Sequence, residues 1–93
     1  MEKTIRYNNL HFKVVAPSTH KNKKYDIYHN NQYLVSFGDN RYQQYHDKIG
    51  YYSKLDHKNS QRRKNYRLRH SKDMSVLEND PCGAGWWSWN YLW

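Results

Sequence analysis

Chemistry in this chain would have to come from a run of cations, a block of tryptophans or six scattered histidines. Between Lys54 and Lys72 stand Lys54, Lys58, Arg62, Arg63, Lys64, Arg67, Arg69 and Lys72, against one carboxylate, Asp56. That segment therefore carries +7 of the chain's net +8 (eight cations less one anion). Clustered Lys and Arg with an interleaved tyrosine is the electrostatic footprint of phosphate binding, because each neutralised phosphate releases condensed counterions. The candidate contacts are Arg62, Arg63, Lys64, Arg67 and Arg69, with Tyr66 placed to stack or brace. The same charges also suit an acidic protein surface, a lipid face, or a solvated or ion-paired helix face. No recognition-helix, zinc-finger or RNA-recognition motif accompanies them, so sequence-specific reading is not expected.

The four tryptophans, Trp86, Trp87, Trp89 and Trp93, all lie in the segment Gly83–Trp93. Each aromatic side chain that is buried removes about 150–250 Å² from water, so such a segment must dock somewhere dry. It either completes the chain's own core or inserts into a neighbouring subunit, where Trp, Tyr and Arg dominate hot spots. The two can coexist. Gly83 and Gly85 are expected to let the chain turn sharply before the aromatic stretch.

The histidines, His11, His20, His29, His46, His57 and His70, form no HxH, HxxxH or HExxH pattern. Cys82 is the only cysteine, so neither an internal disulfide nor a CxxC metal half-site is available. Asp56-His57-Lys58-Asn59 with His70 faintly resembles a ββα-metal nuclease, without the surrounding strands. Asp26-Ile27-Tyr28 and Ile49-Gly50-Tyr51 resemble fragments of a GIY-YIG nuclease, but they lie too far apart and the first lacks the motif glycine. No serine sits beside a histidine in a nucleophile motif. The expectation is a non-enzyme with no metal and no cofactor.

Ninety-three residues are expected to make one small domain, 1–93. High charge and low aliphatic content ordinarily mean disorder. Here ten tyrosines and four tryptophans argue for a fold, since tyrosine buries a ring while its hydroxyl stays wet. No apolar run approaches the ~20 residues of a membrane span, and Met1–Arg6 lacks the apolar core of a signal peptide. A product made in the cytoplasm is expected, with no membrane partner.

The elements that must position these groups are an N-terminal hairpin region over 10–38, a basic helical region over 39–72 and a Trp-rich anchor over 80–93. Leu10–Ala16 reads as a strand closed by Pro17. Lys24–Tyr28 and Tyr33–Gly38 read as a hairpin about Asn30-Asn31, because asparagine tolerates the positive φ such turns need. That register sets Tyr28 opposite Tyr33 and Ile27 opposite Leu34. A short helix is expected through Arg41–His46, and a second over Gln61–His70 capped by Ser60. Asp80-Pro81 reads as a helix start or tight turn. The tail fits a short helix with Trp86, Trp89 and Trp93 at i, i+3 and i+7. The fold class is α+β: a small antiparallel sheet, two or three short helices and a C-terminal Trp-rich helix.

Ser36-Phe37-Gly38, Arg41-Tyr42-Gln43-Gln44-Tyr45, the RRxxYxxRH run Arg62–His70 and the AGxWSxxxLW tail Ala84–Trp93 follow one another in a recognisable order. Together they resemble an uncharacterised set of small basic proteins encoded by large double-stranded DNA viruses and phages. The resemblance spans about Tyr25 to Trp93; it implies a viral origin and no chemistry. On that basis the chain is expected to be a virion structural component, a minor or auxiliary capsid protein held to capsid or other virion proteins within a larger assembly. Its binding residues would be Arg62, Arg63, Lys64, Tyr66, Arg67, Arg69, Trp86, Trp87, Trp89 and Trp93. The alternatives are a non-specific nucleic-acid-binding protein for genome packaging or host takeover, and an inhibitor of a host defence enzyme.

Overall fold

The structure, a computed structural model, describes residues 1–93. Two Asn-Asn pairs organise its first half. Asn8 and Asn9 (φ 48° and 63°), like Asn30 and Asn31 (φ 51° and 63°), occupy the left-handed region. Two-residue hairpins with positive φ at both positions match the natural twist of paired strands. They join β1 (Glu2–Tyr7) to β2 (Leu10–Val15) and β3 (Lys23–His29) to β4 (Gln32–Asp39). The result is a four-stranded antiparallel meander in the order β1-β2-β3-β4.

Strand alternation puts Phe12, Val14, Tyr25, Ile27 and Phe37 into the core. Tyr28 faces Tyr33 as expected. Ile27, however, pairs with Val35 rather than Leu34, because a register shift between Ile27 and Tyr28 inserts one extra residue into β4.

The helical half is α1 (Ser60–His70), α2 (Met74–Leu77) and α3 (Ala84–Tyr91), preceded by a single 3-10 turn at Ser53–Leu55. The α+β class, with an N-terminal antiparallel sheet and a Trp-rich closing helix, is thus the observed one. Asn59, not Ser60, caps α1: its side chain accepts the backbone N–H of Arg62 at 3.0 Å. No helix is long and apolar enough to cross a membrane.

Three further expectations need correction. Arg41–His46 is not a helix. Its backbone donors turn outward to other segments, Gln44 N to Leu55 O at 3.2 Å and His46 N to Leu92 O at 3.0 Å. Nor do Trp86, Trp89 and Trp93 share a face. Trp86 and Trp87 enter the sheet core with Leu92, while Trp89 and Trp93 turn toward α1. Finally, Gly83 has an ordinary extended backbone (φ −103°), so it makes no sharp turn. The tail glycines serve close approach: a Cβ on Gly83 would lie 2.2 Å from Ser75 Cβ, and one on Gly85 2.2 Å from Asp73 Oδ2.

Candidate functional site: the cationic face of α1

Helix α1 buries only Tyr66, whose ring lies parallel to Trp93 at 4.4 Å and also meets His70 at 4.2 Å. Burial pushes the Tyr66 hydroxyl up to about 12, so it stays neutral. Arg63 and Arg67 pack along the same side. Arg63 Nε donates to the main-chain oxygen of Trp93 at 2.6 Å, and its guanidinium lies 4.9 Å from the Tyr45 ring centroid. The Arg67 guanidinium lies 4.6 Å from the Trp89 ring centroid. Burial, then the neighbouring Arg63 charge, lowers the Arg67 pKa, and its Nε is buried without a partner.

Arg62, Lys64 and Arg69 are exposed. Arg62 Nη1 donates to Gln43 Oε1 at 3.0 Å. Arg41 pairs with Asp39, while His20 and His46 approach Asp26 and Asp56, and no Asp or Glu side chain pairs with α1. The five cations singled out from the sequence therefore share one helix with no Asp or Glu side chain within 4.0 Å to neutralise them. Helical spacing divides the surface into two grooves. One, of about 200 Å³, is bounded by Arg62, Asn65, Arg69 and Trp93. The other, of about 330 Å³, is bounded by Ser60, Arg63, Lys64, Arg67 and Leu68.

The predicted tryptophans are split. Trp87 is fully buried and Trp86 nearly so, with Nε1 donors satisfied by Pro81 O and Asn79 Oδ1, both at 2.7 Å. Trp89 and Trp93 are half-buried beside the cations. A third groove, of about 340 Å³, was not legible in the sequence, because Lys24, Tyr42 and Gln43 join Arg69 and Trp93 there only through folding.

One cluster has the composition of a nucleophilic triad. Asp26, fully buried, accepts from Ser18 Oγ at 2.5 Å, Ser36 Oγ at 2.6 Å, Thr19 Oγ1 at 2.6 Å and Thr19 N at 2.8 Å. His20 Nδ1 lies 3.3 Å from both Ser36 Oγ and Asp26 Oδ1. A relay needs opposite ring nitrogens for base and orienter, so this cluster lacks that geometry. It pins the 16–22 loop to the sheet instead. Burial alone would raise the Asp26 pKa, but hydrogen bonds from Ser18, Ser36 and Thr19 outweigh it and hold the carboxyl well below its ordinary 3.8.

A depressed carboxylate contributes stability above its unfolded pKa and loses it as pH falls through the folded value. Asp26→Asn should therefore cost roughly 1–3 kcal/mol at neutral pH. The gap in melting temperature from wild type should stay constant down to the ordinary carboxylate range and shrink only in stronger acid. Parallel thermal melts across pH check this.

His57 Nδ1 accepts the Asn59 N–H at 2.9 Å, and its ring packs against Trp93. His70 lies on Tyr66. No group of three His, Cys, Asp or Glu side chains is placed to hold a metal ion.

Residues 13–70 match a family described only as "Family of unknown function (DUF5754)". The match runs from β2 to the last residue of α1, so the tryptophan helix lies outside it. No curated protein and no solved structure matches the chain.

Proposed function

We propose that this chain, which belongs to the DUF5754 family of unknown function, binds nucleic acid through the phosphate backbone without reading its sequence. The observation that carries the reading is the set of α1 cations with no Asp or Glu partner. An ion-paired helix would be a solvated structural face. An unpaired one holds like charges together at a cost that an anionic partner relieves. Cation–π packing of Arg63 on Tyr45 and Arg67 on Trp89 holds two guanidinium groups in place without neutralising them. Little side-chain entropy is then lost when phosphates arrive. The test is fluorescence anisotropy of a labelled duplex across salt concentrations. Five phosphate contacts would give a log–log slope of about −4 to −5, and no affinity at about 50 mM salt overturns the reading.

A second reading makes the chain a minor or auxiliary capsid protein of a large double-stranded DNA virus, made in the host cytoplasm. It rests on the viral resemblance and on Trp89 and Trp93, which keep part of their surface open beside the cations. Small basic virion products often contact acidic capsid surfaces, and an aromatic–cationic patch suits such a contact. Removing the tail is a poor test, because Trp86, Trp87 and Leu92 belong to the core. Trp89→Ala with Lys64→Gln, which leaves that core in place, should instead deplete the protein from purified particles by mass spectrometry. Undiminished incorporation counts against this reading.

A further inference from the structure

Lys24 is only 2% exposed, and its Nζ donates to the Tyr42 carbonyl at 3.0 Å and to Gln44 Oε1 at 2.5 Å. Desolvation lowers its pKa, against the pull of Asp47, Asp39 and Asp56. A buried ammonium is a costly way to hold a surface loop unless the loop's conformation matters. Asp39 fixes the same segment from the other side. Its side chain accepts from Arg41 N at 2.9 Å, Arg41 Nε at 3.0 Å and Arg41 Nη2 at 2.8 Å. Its carbonyl accepts from Tyr42 N at 3.2 Å.

This anchoring fixes the Tyr42 backbone, and its ring projects largely into water beside Arg41, whose guanidinium lies 5.5 Å from the ring centroid. Tyr42 is 63% exposed, more than any other tyrosine in the chain. It borders the 340 Å³ groove together with Gln43, Arg69 and Trp93. Arg69 and Trp93 also border the 200 Å³ groove that contains Arg62 and Asn65, so the two grooves adjoin across these side chains. The larger lies within the size range of small-ligand sites, about 300–1,000 Å³. An exposed aromatic ring with side-chain amides and guanidinium groups along two adjoining grooves is what single-stranded nucleic acid requires. Cations track its backbone and aromatic faces take its unstacked bases. A duplex hides its base faces and has no use for Tyr42.

Building on the phosphate-binding reading, the geometry points to a single-strand site. An unpaired base stacks on Tyr42, and the flanking phosphates lie on Arg69 and Arg62. The test compares wild type, Tyr42→Ala and Tyr42→Phe, each as the full chain. The probes are a labelled oligothymidylate of about 15 nucleotides and a duplex of equal length, at about 50 mM salt. Tyr42→Ala should weaken the single strand roughly tenfold while changing the duplex less than about twofold, and Tyr42→Phe should bind both like wild type. An unchanged single strand, or equal loss on both probes, overturns the base site and leaves phosphate binding standing. No binding of either probe by wild type overturns both. Tyr42 is exposed, so the variant should melt as wild type does, which a thermal scan verifies.

Discussion

Replacing Arg62, Lys64 and Arg69 together with glutamine should cut duplex-DNA affinity roughly a hundredfold or more at about 50 mM salt. It should also flatten the log–log salt slope by about 2.7, from about 0.9 per lost phosphate contact. The three positions follow from what each cation does in the folded chain. Arg63 grips the main-chain oxygen of Trp93 and Arg67 packs on Trp89, so removing either confounds binding with folding. Arg62 is exposed and holds only the equally exposed Gln43, while Lys64 and Arg69 make no ion pair. Glutamine keeps helix propensity and removes charge, so α1 should persist and, with repulsion relieved, melt no lower than wild type. Anisotropy titrations at several salt concentrations give the slope, and circular dichroism confirms the helix. A variant that keeps both affinity and slope would place the contacts elsewhere and end the phosphate reading for α1.

The parts of the fold legible in the sequence are those fixed by local chemistry. Asn30-Asn31 announces its own turn, because few other residue pairs occupy positive φ so readily. Helix α1 announces itself by a stretch rich in the good helix formers Gln, Arg, Lys and Leu, ending at His70 with Ser71 as its C-cap. The same reading misses β1, although Asn8-Asn9 is the same kind of turn. Glu2–Tyr7 is a largely exposed edge strand, so it carries little of the apolar alternation that marks a half-buried one.

The expected helix at Arg41–His46 fails for a non-local reason. Lys24, eighteen residues upstream of Tyr42, takes that segment's carbonyl, and no spacing rule connects the two. The candidate site divides along the same line. Its cations stand together in the sequence and are found there. Tyr42, Gln43 and the open side of Trp93 reach the groove only once β4, the irregular segment and α3 have packed, so no local signal reports them.

Trp87→Ala should destabilise the chain by about 3–5 kcal/mol, the usual cost of deleting a fully buried large aromatic. Trp87 is 0% exposed and sits at the centre of the aromatic core. It packs edge-on to Phe12 at 5.4 Å, stacks on Phe37 at 5.7 Å and on Tyr91 at 5.3 Å, and meets Trp86 at 4.9 Å. Truncation also strands the Pro81 carbonyl that accepts its Nε1–H. A domain of this size holds only about 5–14 kcal/mol in total. The melting temperature should therefore fall by roughly 15 °C or more, if a cooperative transition survives. Trp89→Ala is the control: Trp89 is half-buried and its clearest partner is Arg67, so its loss should cost about 1 kcal/mol. The pair separates two uses of one aromatic tail. A tail that closes its own sheet makes Trp87 far more costly than Trp89. Near-equal, small effects would mean that α3 is not bound to the sheet and that its tryptophans are free to enter a neighbouring chain.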